Sequence, residues 1–433
     1  MEGIIVSLAI FIFLAHLFSI LFVKMRVPDV LPLMLLGLLL GPVFQVVQPG
    51  DFGKVDQVFT RVLLIVILFR SGLDIRISQI RSTWAQSSRI TVLGFLMAAA
   101  VIALAAKVLL GLNLIYSITL GFILADNSFA VIIPLISKLN ISKNIRTILL
   151  VECTMTSVLS IGGAVTLIGM VKANSFNPSI IAAKIIYSLL ISLLVGGTAA
   201  VFWTTVLNKV RKLENGIFLT LAFVLVVYYI CEKMGSDGAI GAFIFGIVAA
   251  NLRVIRRLYG FRFLQHFTTN VKSKAFNETE LNFFSEIVFV LRTFFFVYIG
   301  ISMQLSNVYS MLCGLVLTLV ILISRVPIVN YLLSPSINRL DTAVAAAMMP
   351  KGLVTAVLAS LIVQSGIPGG QLLKDTIYSV ILFSIILSTV LSFLIEKGYA
   401  CRLSDFLFAR HEGQTCKTPV QEVAVVNKTV ILK

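Results

Sequence analysis

The chain has 433 residues, of which 58% are hydrophobic and only 12% charged, with a mean hydropathy of +1.02. Soluble domains carry about 25% charged residues, so a soluble enzyme or binding domain is excluded and the expected fold class is all-α, a polytopic membrane protein. The net charge of +16 is spread over the connections between apolar runs, which argues for membrane topology and against nucleic acid as a partner.

Apolar runs fall at residues 3–23, 29–46, 57–73, 88–111, 113–136, 145–171, 179–206, 214–231, 236–252, 281–303, 306–333, 340–366 and 372–396. These predict about thirteen transmembrane helices, each near the ~20 residues that cross a bilayer. The first run follows Glu2 instead of a basic segment, shows no small-residue cleavage site and precedes Lys24 and Arg26. It reads as a helix, not a removed signal peptide. Its His16 reads as a packed histidine, remote in sequence from His266 and His411.

Basic residues occupy alternate connections: Lys24 and Arg26; Arg76, Arg81 and Arg89; Lys138, Lys143 and Arg146; Lys209, Arg211 and Lys212; then Arg253 through Lys274. Connections around 51–56, 173–179, 232–237 and 366–371 are poor in Lys and Arg. The positive-inside rule then predicts an outside N-terminus and a cytoplasmic C-terminus. The long inner connection 253–280 reads as an interfacial segment, meeting anionic lipid headgroups or simply anchoring the topology. After residue 397 the chain turns polar. No nucleotide fold, glycine-rich phosphate loop or cofactor motif appears. The cysteines at 153, 231, 313, 401 and 416 lack metal or redox spacing. No paired catalytic aspartates, His-Glu-x-x-His or Gly-x-Ser-x-Gly sequence supports an intramembrane enzyme.

The fifth run holds the most unusual chemistry. Asp126, Asn127 and Ser128 sit within it, followed by Pro134. A charge at the centre of a bilayer helix costs about 2.5–3.5 kcal/mol on insertion scales and marks a functional site by default. Proline removes a backbone donor and disfavours helix at the residue before it. Together these predict a helix that breaks mid-membrane, next to protein or a water-filled cavity. Further charges occur as Arg70 and Asp74 at the end of the third run, read as a helix-end ion pair. Glu286 and Arg292 in the tenth are too far apart to pair within one helix.

An internal echo runs through the chain. The third run ends in Leu68-Phe-Arg-Ser-Gly-Leu-Asp-Ile75 and the tenth in Phe296-Val-Tyr-Ile-Gly-Ile-Ser-Met303. Gly37 and Gly41 in the second run are echoed by Gly241 and Gly246 in the ninth. The polar fifth run is echoed by Met348-Met-Pro-Lys-Gly-Leu353 in the twelfth. Partners seven helices apart lie in opposite orientations, the signature of inverted repeats with broken helices at a binding site.

The segments LPLMLLGLLLGP, LFRSGLDI, IRTILLVE, GAFIFGIVAAN, RTFFFVYIGI and MPKGLVTAVLAS, in this order and spacing, resemble the monovalent cation–proton antiporter superfamily in its thirteen-helix form. The resemblance spans residues 20 to 396. It implies a transmembrane antiporter-like domain over 1–400 (repeat one 1–171, linker helix 179–206, repeat two 214–396) and a short cytoplasmic tail, 401–433. It also implies a homodimer scaffold, a mobile core with two broken helices crossing mid-membrane, and Na+ or K+ and protons as partners. No cofactor and no metal beyond the transported cation are expected. The expected location is a prokaryotic plasma membrane.

In the resembling proteins the broken fifth helix carries Thr-Asp-Pro, and the sixth carries Gly-Glu-Ser followed, two residues on, by Asn-Asp or Thr-Asp. Aligned without a gap on Pro134 and Glu152, these fall on Asn127-Ser128-Phe129, Val151-Glu152-Cys153 and Thr156-Ser157. The glutamate is kept, and both ion-site aspartates are serines. A hydroxyl can ligate a cation but does not exchange it for a proton at ordinary pH. The expected ion-site residues are therefore Asp126, Asn127, Ser128, Glu152, Thr156 and Ser157, with Asp126 or Glu152 supplying the charge. On an ideal helix Asp126 would point about 200° away from Ser128; an unwound segment would lift that restriction. By the same resemblance Arg325 would pair with Glu152, and Lys351 would neutralise carbonyls freed by the twelfth helix's break. The expected function is secondary active exchange of a monovalent cation for protons by alternating access. The alternative is an antiporter fold without proton coupling: a uniporter, a carrier of another solute or an inactive sensor or scaffold.

Overall fold

In the computed structural model, helix is the regular secondary structure among the described residues, which are 13, 28, 30–52, 55–75, 84–137, 139, 141–172, 178–210, 216–259, 276–305, 307–399 and 405–411. The first expected span with His16, most of the long inner connection and residues 412–433 lie outside them. The elements are α1 (Val30–Leu38, continued by a π-helical turn over Leu39–Val43), α2 (Val55–Asp74), α3 (Trp84–Leu110), α4 (Leu114–Leu124), α5 (Phe129–Ser137), α6 (Lys143–Lys172) and α7 (Pro178–Val210). They continue as α8 (Gly216–Lys233), α9 (Gly238–Tyr259), α10 (Glu278–Ser302), α11 (Val308–Leu332), α12 (Arg339–Ala347), α13 (Leu353–Gln364) and α14 (Gly370–Glu396). Each apolar run after the first corresponds to one helix or to a broken pair. Among the described residues seven stretches, the broken α4–α5 one of them, are long and apolar enough to cross a membrane. The chain is an integral membrane protein.

Helix starts follow local chemistry. Asn277 and Glu280 form a reciprocal capping box at α10, with the Asn277 N–H donating to Glu280 Oε2 at 2.7 Å. The side chains of Asn307 and Asn338 cap α11 and α12 by accepting from the N–H groups of Ser310 and Leu340.

Helix pairing explains the glycine echo. α1 packs on α10 and α2 on α9, so the second run meets the tenth as the third meets the ninth. The contacts are backbone to backbone. A Cβ on Gly37 would fall 2.1 Å from Val297 O, and one on Gly300 2.2 Å from Met34 O. On the other pair, a Cβ on Gly246 would fall 2.3 Å from Phe69 O, and one on Gly72 2.3 Å from Phe243 O. Small residues let membrane helices approach this closely, and dispersion then replaces the hydrophobic drive that lipid does not supply. We expect Gly246→Val to separate α2 from α9 at about 1–3 kcal/mol, the usual cost of overpacking. A lower unfolding temperature of detergent-purified protein would show it; an unchanged one would refute the close-contact account.

Two large apolar clusters result. One joins α2, α7, α8, α9 and α10 through Phe69, Trp203, Val224, Phe245 and Phe284. The larger one surrounds the broken helices and includes Leu124, Val131, Ile148, Val329, Met349, Val357 and Ile381. Beyond α14, residues 405–411 return to the α11–α12 hairpin. There buried His411 sets its two ring nitrogens 3.1 and 3.2 Å from the carbonyls of Ser334 and Asn330, and Arg339 Nε donates to His411 O at 2.8 Å.

The break in the fifth run is not where proline predicts it. Pro134 lies inside α5; the non-helical segment is Ala125–Ser128. The backbone there is held by the other broken run. The Ser128 N–H donates to Pro350 O at 2.8 Å, and Lys351 Nζ donates to Asp126 O at 2.7 Å. Each break supplies partners for the polar groups that the other leaves open, which makes non-helical backbone tolerable at this depth.

Candidate functional site

The two breaks, Ala125–Ser128 and Met348–Gly352, cross in direct contact. Gly352 is required at the crossing: a Cβ there would lie 2.1 Å from Ser128 Oγ. The crossing sets helix ends against each other. α4 ends in carbonyls carrying partial negative charge, and α13 begins with N–H groups carrying partial positive charge. The buried Lys351 ammonium sits at the α4 end, bonding Asp126 O and, at 3.1 Å, Asn127 Oδ1. The Lys351 backbone N–H donates to Ser384 Oγ of α14 at 2.9 Å.

The Asp126 side chain points the other way, between α6 and the first turn of α13. Its Oδ1 accepts from Ser157 Oγ at 2.7 Å and lies 3.5 Å from Thr156 Oγ1; its Oδ2 is 3.4 Å from Thr355 Oγ1. The ideal-helix expectation that Asp126 faces away from the site fails because residues 125–128 are not helical. The carboxylate therefore stands against Ser157 from two residues upstream of Ser128. Ser128 contributes its N–H to the crossing and its side chain to the cavity wall.

Glu152 is held otherwise. Arg325 NH1 and NH2 reach its two oxygens at 2.6 and 3.0 Å, a bidentate pair, and Arg325 Nε donates to Ala345 O at 3.3 Å. Asn127 Nδ2 donates to Glu152 Oε1 at 3.1 Å. Asn127 thus bridges Glu152 and Lys351, and the Asn127 N–H donates to Thr156 Oγ1 at 3.3 Å. Asp126, Lys351, Glu152 and Arg325 form a buried group with two formal charges of each sign. Burying charge is costly unless it is paired and hydrogen-bonded: Glu152 and Arg325 form an ion pair, while Lys351 and the Asp126 carboxylate are held by hydrogen bonds.

A cavity of about 490 Å³ leads to Asp126. It runs from the exposed Asp74, which pairs with Arg70, past Ser285, Glu286 and Arg292 of α10, to Asp126, Ser128 and Ser157. Arg70 Nε also donates to Ser285 Oγ at 3.1 Å. On the far side of the crossing, Asn127, Glu152, Arg325 and Lys351 line a pocket of only about 20 Å³. The larger cavity thus reaches the crossing at Asp126, Ser128 and Ser157. Among the described residues no group of three or more His, Cys, Asp and Glu is arranged to hold a resident metal.

All the expected site residues except Ser128 join one hydrogen-bonded network with Arg325 and Lys351, and Ser128 lies beside it in the cavity wall. Sequence reasoning missed Thr355 and Ser384. Thr355 lies four residues after Lys351 in the already conspicuous MPKGLVT segment. Ser384 carries no signal beyond being polar in an apolar run.

Two broken helices crossing at a buried carboxylate, reached by a cavity of about 490 Å³ on one side, define a carrier of small ions rather than an open channel. The sequence pattern of the sodium/hydrogen exchanger transmembrane family matches residues 9–397, and the chain belongs to that family. It is 24% identical over 390 residues to the Na(+)/H(+) antiporter of Enterococcus hirae, a match covering 87% of this chain and 92% of that protein. Among solved structures it is similar to the sodium proton antiporter MjNhaP1 of Methanocaldococcus jannaschii at pH 8. The TM-score is 0.73 and the identity 20%, over 90% of this chain and 100% of that one. A second structure of MjNhaP1, from an electron-microscopy map, gives a TM-score of 0.67 at 17% identity, over 96% of this chain and 100% of that one.

Proposed function

We propose that the chain is a secondary active transporter, not an enzyme, and exchanges Na+ or K+ for protons by alternating access, with Asp126 carrying either the cation or the proton. The observation that carries this reading is the 2.7 Å contact of Asp126 with Ser157 at the end of the cavity. It answers the one chemical objection in the sequence, the absence of aspartate at positions 128 and 157. Family membership and the Na(+)/H(+) antiporter relative support it further.

The hydroxyls suit both states of the carboxylate. Ser157 Oγ lies 2.9 Å from Cys153 O, and Thr156 Oγ1 lies 3.2 Å from the same carbonyl. Each hydroxyl has one proton and two lone pairs. With the carboxylate ionised and no cation bound, Ser157 donates to it. With a cation bound, Ser157 and Thr156 donate to Cys153 O and turn lone pairs to the ion. Oxygen ligands of this kind suit hard cations. When a proton sits on Asp126 the site has no negative charge to offer, so cation and proton exclude each other. Asn127 and Lys351 hold the broken backbone, and Glu152 with Arg325 fixes α6 against α11 as a positioning pair.

The pairs α1–α10 and α2–α9, locked by backbone contacts, suit a scaffold against which the crossing moves. In this reading the scaffold is a homodimer in a prokaryotic plasma membrane, with the N-terminus outside and the C-terminus in the cytoplasm. The basic connections support that orientation. The cavity is lined by the C-terminal end of α2, residues 129–134 of α5 and the N-terminal half of α10; those parts of α2 and α10 adjoin the Lys- and Arg-rich connections, so in this reading it opens toward the cytoplasm. Membrane potential supplies about 2.3 kcal/mol per net charge moved per 100 mV. The test is reconstitution into proteoliposomes loaded with a pH-sensitive dye. Added sodium or potassium should collapse a preformed proton gradient between about pH 6 and 9; a gradient unaffected by either cation would refute the proposal.

A further inference from the structure

We infer that Thr355, on the second of the two broken runs, is a further ligand of the transported cation and sets its affinity. The inference rests on the exchange reading and adds to it a residue from α13, the half-helix that faces Asp126 from the opposite repeat. Thr355 is fully buried in the first turn of α13, and its Oγ1 lies 3.4 Å from Asp126 Oδ2.

The two carboxylate oxygens are served unequally. Oδ1 takes the 2.7 Å bond from Ser157, with Thr156 at 3.5 Å, whereas Oδ2 has Thr355. Ser157 and Thr156 both have Cys153 O as a second acceptor; for Thr355 the geometry offers Asp126. Its contact at 3.4 Å lies beyond the usual 2.5–3.0 Å for hydroxyl donors and falls on the oxygen that has no short bond, so a small ion displaces it readily. A cation seated between Oδ2 and Thr355 Oγ1 meets a carboxylate oxygen and a hydroxyl lone pair at once.

The proton uses the same place. It goes to the oxygen not already held by a short donated bond, which is Oδ2. The new O–H then donates to Thr355 Oγ1, which changes from donor to acceptor by rotating about one bond. Thr355 therefore meets whichever ion Asp126 carries. Because it belongs to α13 and Ser157 to α6, cation binding joins the two repeats, whereas Ser157 and Thr156 alone would hold the ion on one.

The test compares Thr355→Val, which keeps the shape and removes the hydroxyl, with Thr355→Ser, which keeps the hydroxyl and removes a methyl. Two readouts are taken on full-length protein: apparent KM for sodium and for potassium in proteoliposomes, and the rise in unfolding temperature that each chloride salt produces in detergent, against a choline chloride control. Binding to the folded state raises that temperature in proportion to occupancy. Thr355→Val should raise the KM of the transported cation about 10-fold and shrink its stabilisation, while its cation-free unfolding temperature stays near that of the native chain. Thr355→Ser should stay within about twofold of native. A Val variant with native KM and native stabilisation would overturn the inference. So would a Ser variant as impaired as the Val variant, since the methyl group and not the oxygen would then be what matters. Native protein that is stabilised by the cation yet does not exchange it would refute the exchange reading, while the stabilisation measurements still decide Thr355.

Discussion

Asp126→Asn should abolish cation-coupled proton movement while leaving the fold intact. Asparagine has the size of aspartate, and its carbonyl can still accept from Ser157 while its amide can still donate to Thr355 across the same distances. What it loses is the negative charge and the ability to carry a proton. A monovalent cation about 4 Å from a full charge gains about 4 kcal/mol at an effective dielectric of ~20, about three orders of magnitude in affinity. Proton exchange is lost altogether, because an amide does not titrate in the working range. The proteoliposome assay should therefore give the trace of empty vesicles. Elution as a single folded species and a near-native unfolding temperature would show that the loss is chemical. Exchange at more than a tenth of the native rate would mean that Asp126 is not the carrier, and Glu152, the other buried carboxylate of the network, would take its place.

The second large effect concerns stability. Arg325→Met leaves Glu152 buried without its bidentate partner, and losing one member of such a pair typically costs about 3–5 kcal/mol. Glu152→Gln leaves the guanidinium unpaired at a comparable cost. The double substitution, Glu152→Gln with Arg325→Met, removes both charges and should be more stable than either single variant, although Asn127 and Ala345 O lose partners in it. Unfolding temperatures of the three variants in one detergent give the coupling directly. If the two single losses simply added up to that of the double variant, the pair would not be holding α6 to α11.

The fold was readable in the sequence for a simple reason. Membrane helices announce themselves as long apolar runs, and each described run became a helix or a broken pair. The glycine echo was visible as well, but its meaning needed three dimensions. Gly72 and Gly246, or Gly37 and Gly300, are remote in sequence, and only their carbonyl contacts show why Cβ atoms are excluded. The broken fifth run is readable from its polar residues, Asp126 to Ser128, but the extent of the break is not. Pro134 was the strongest local signal and lies within α5, while the break is held open by Pro350 O and Lys351, more than 200 residues away.

The same tertiary control decides the site. A gap-free alignment made Ser128 the key position and left Asp126 out of register by the angle of an ideal helix. Non-helical backbone carries no such angle, and a two-residue displacement along the chain still delivers a carboxylate to Ser157. The Glu152–Arg325 pair came from resemblance alone, because nothing local connects α6 with α11. Thr355 was hidden by its ordinariness, a threonine in a helix; only the direction of Asp126 Oδ2 singles it out.

The central claim is that cation and proton compete for Asp126. The most direct measurement is proton release on cation binding, read with a pH indicator in weakly buffered, detergent-purified protein to which sodium or potassium chloride is added, with choline chloride as control. Native protein should release protons when the transported cation binds, most strongly where Asp126 starts protonated and progressively less as pH rises and the site empties of protons beforehand. Asp126→Asn should release none. Undiminished release from Asp126→Asn, or cation binding by native protein with no release at any pH, would contradict the account.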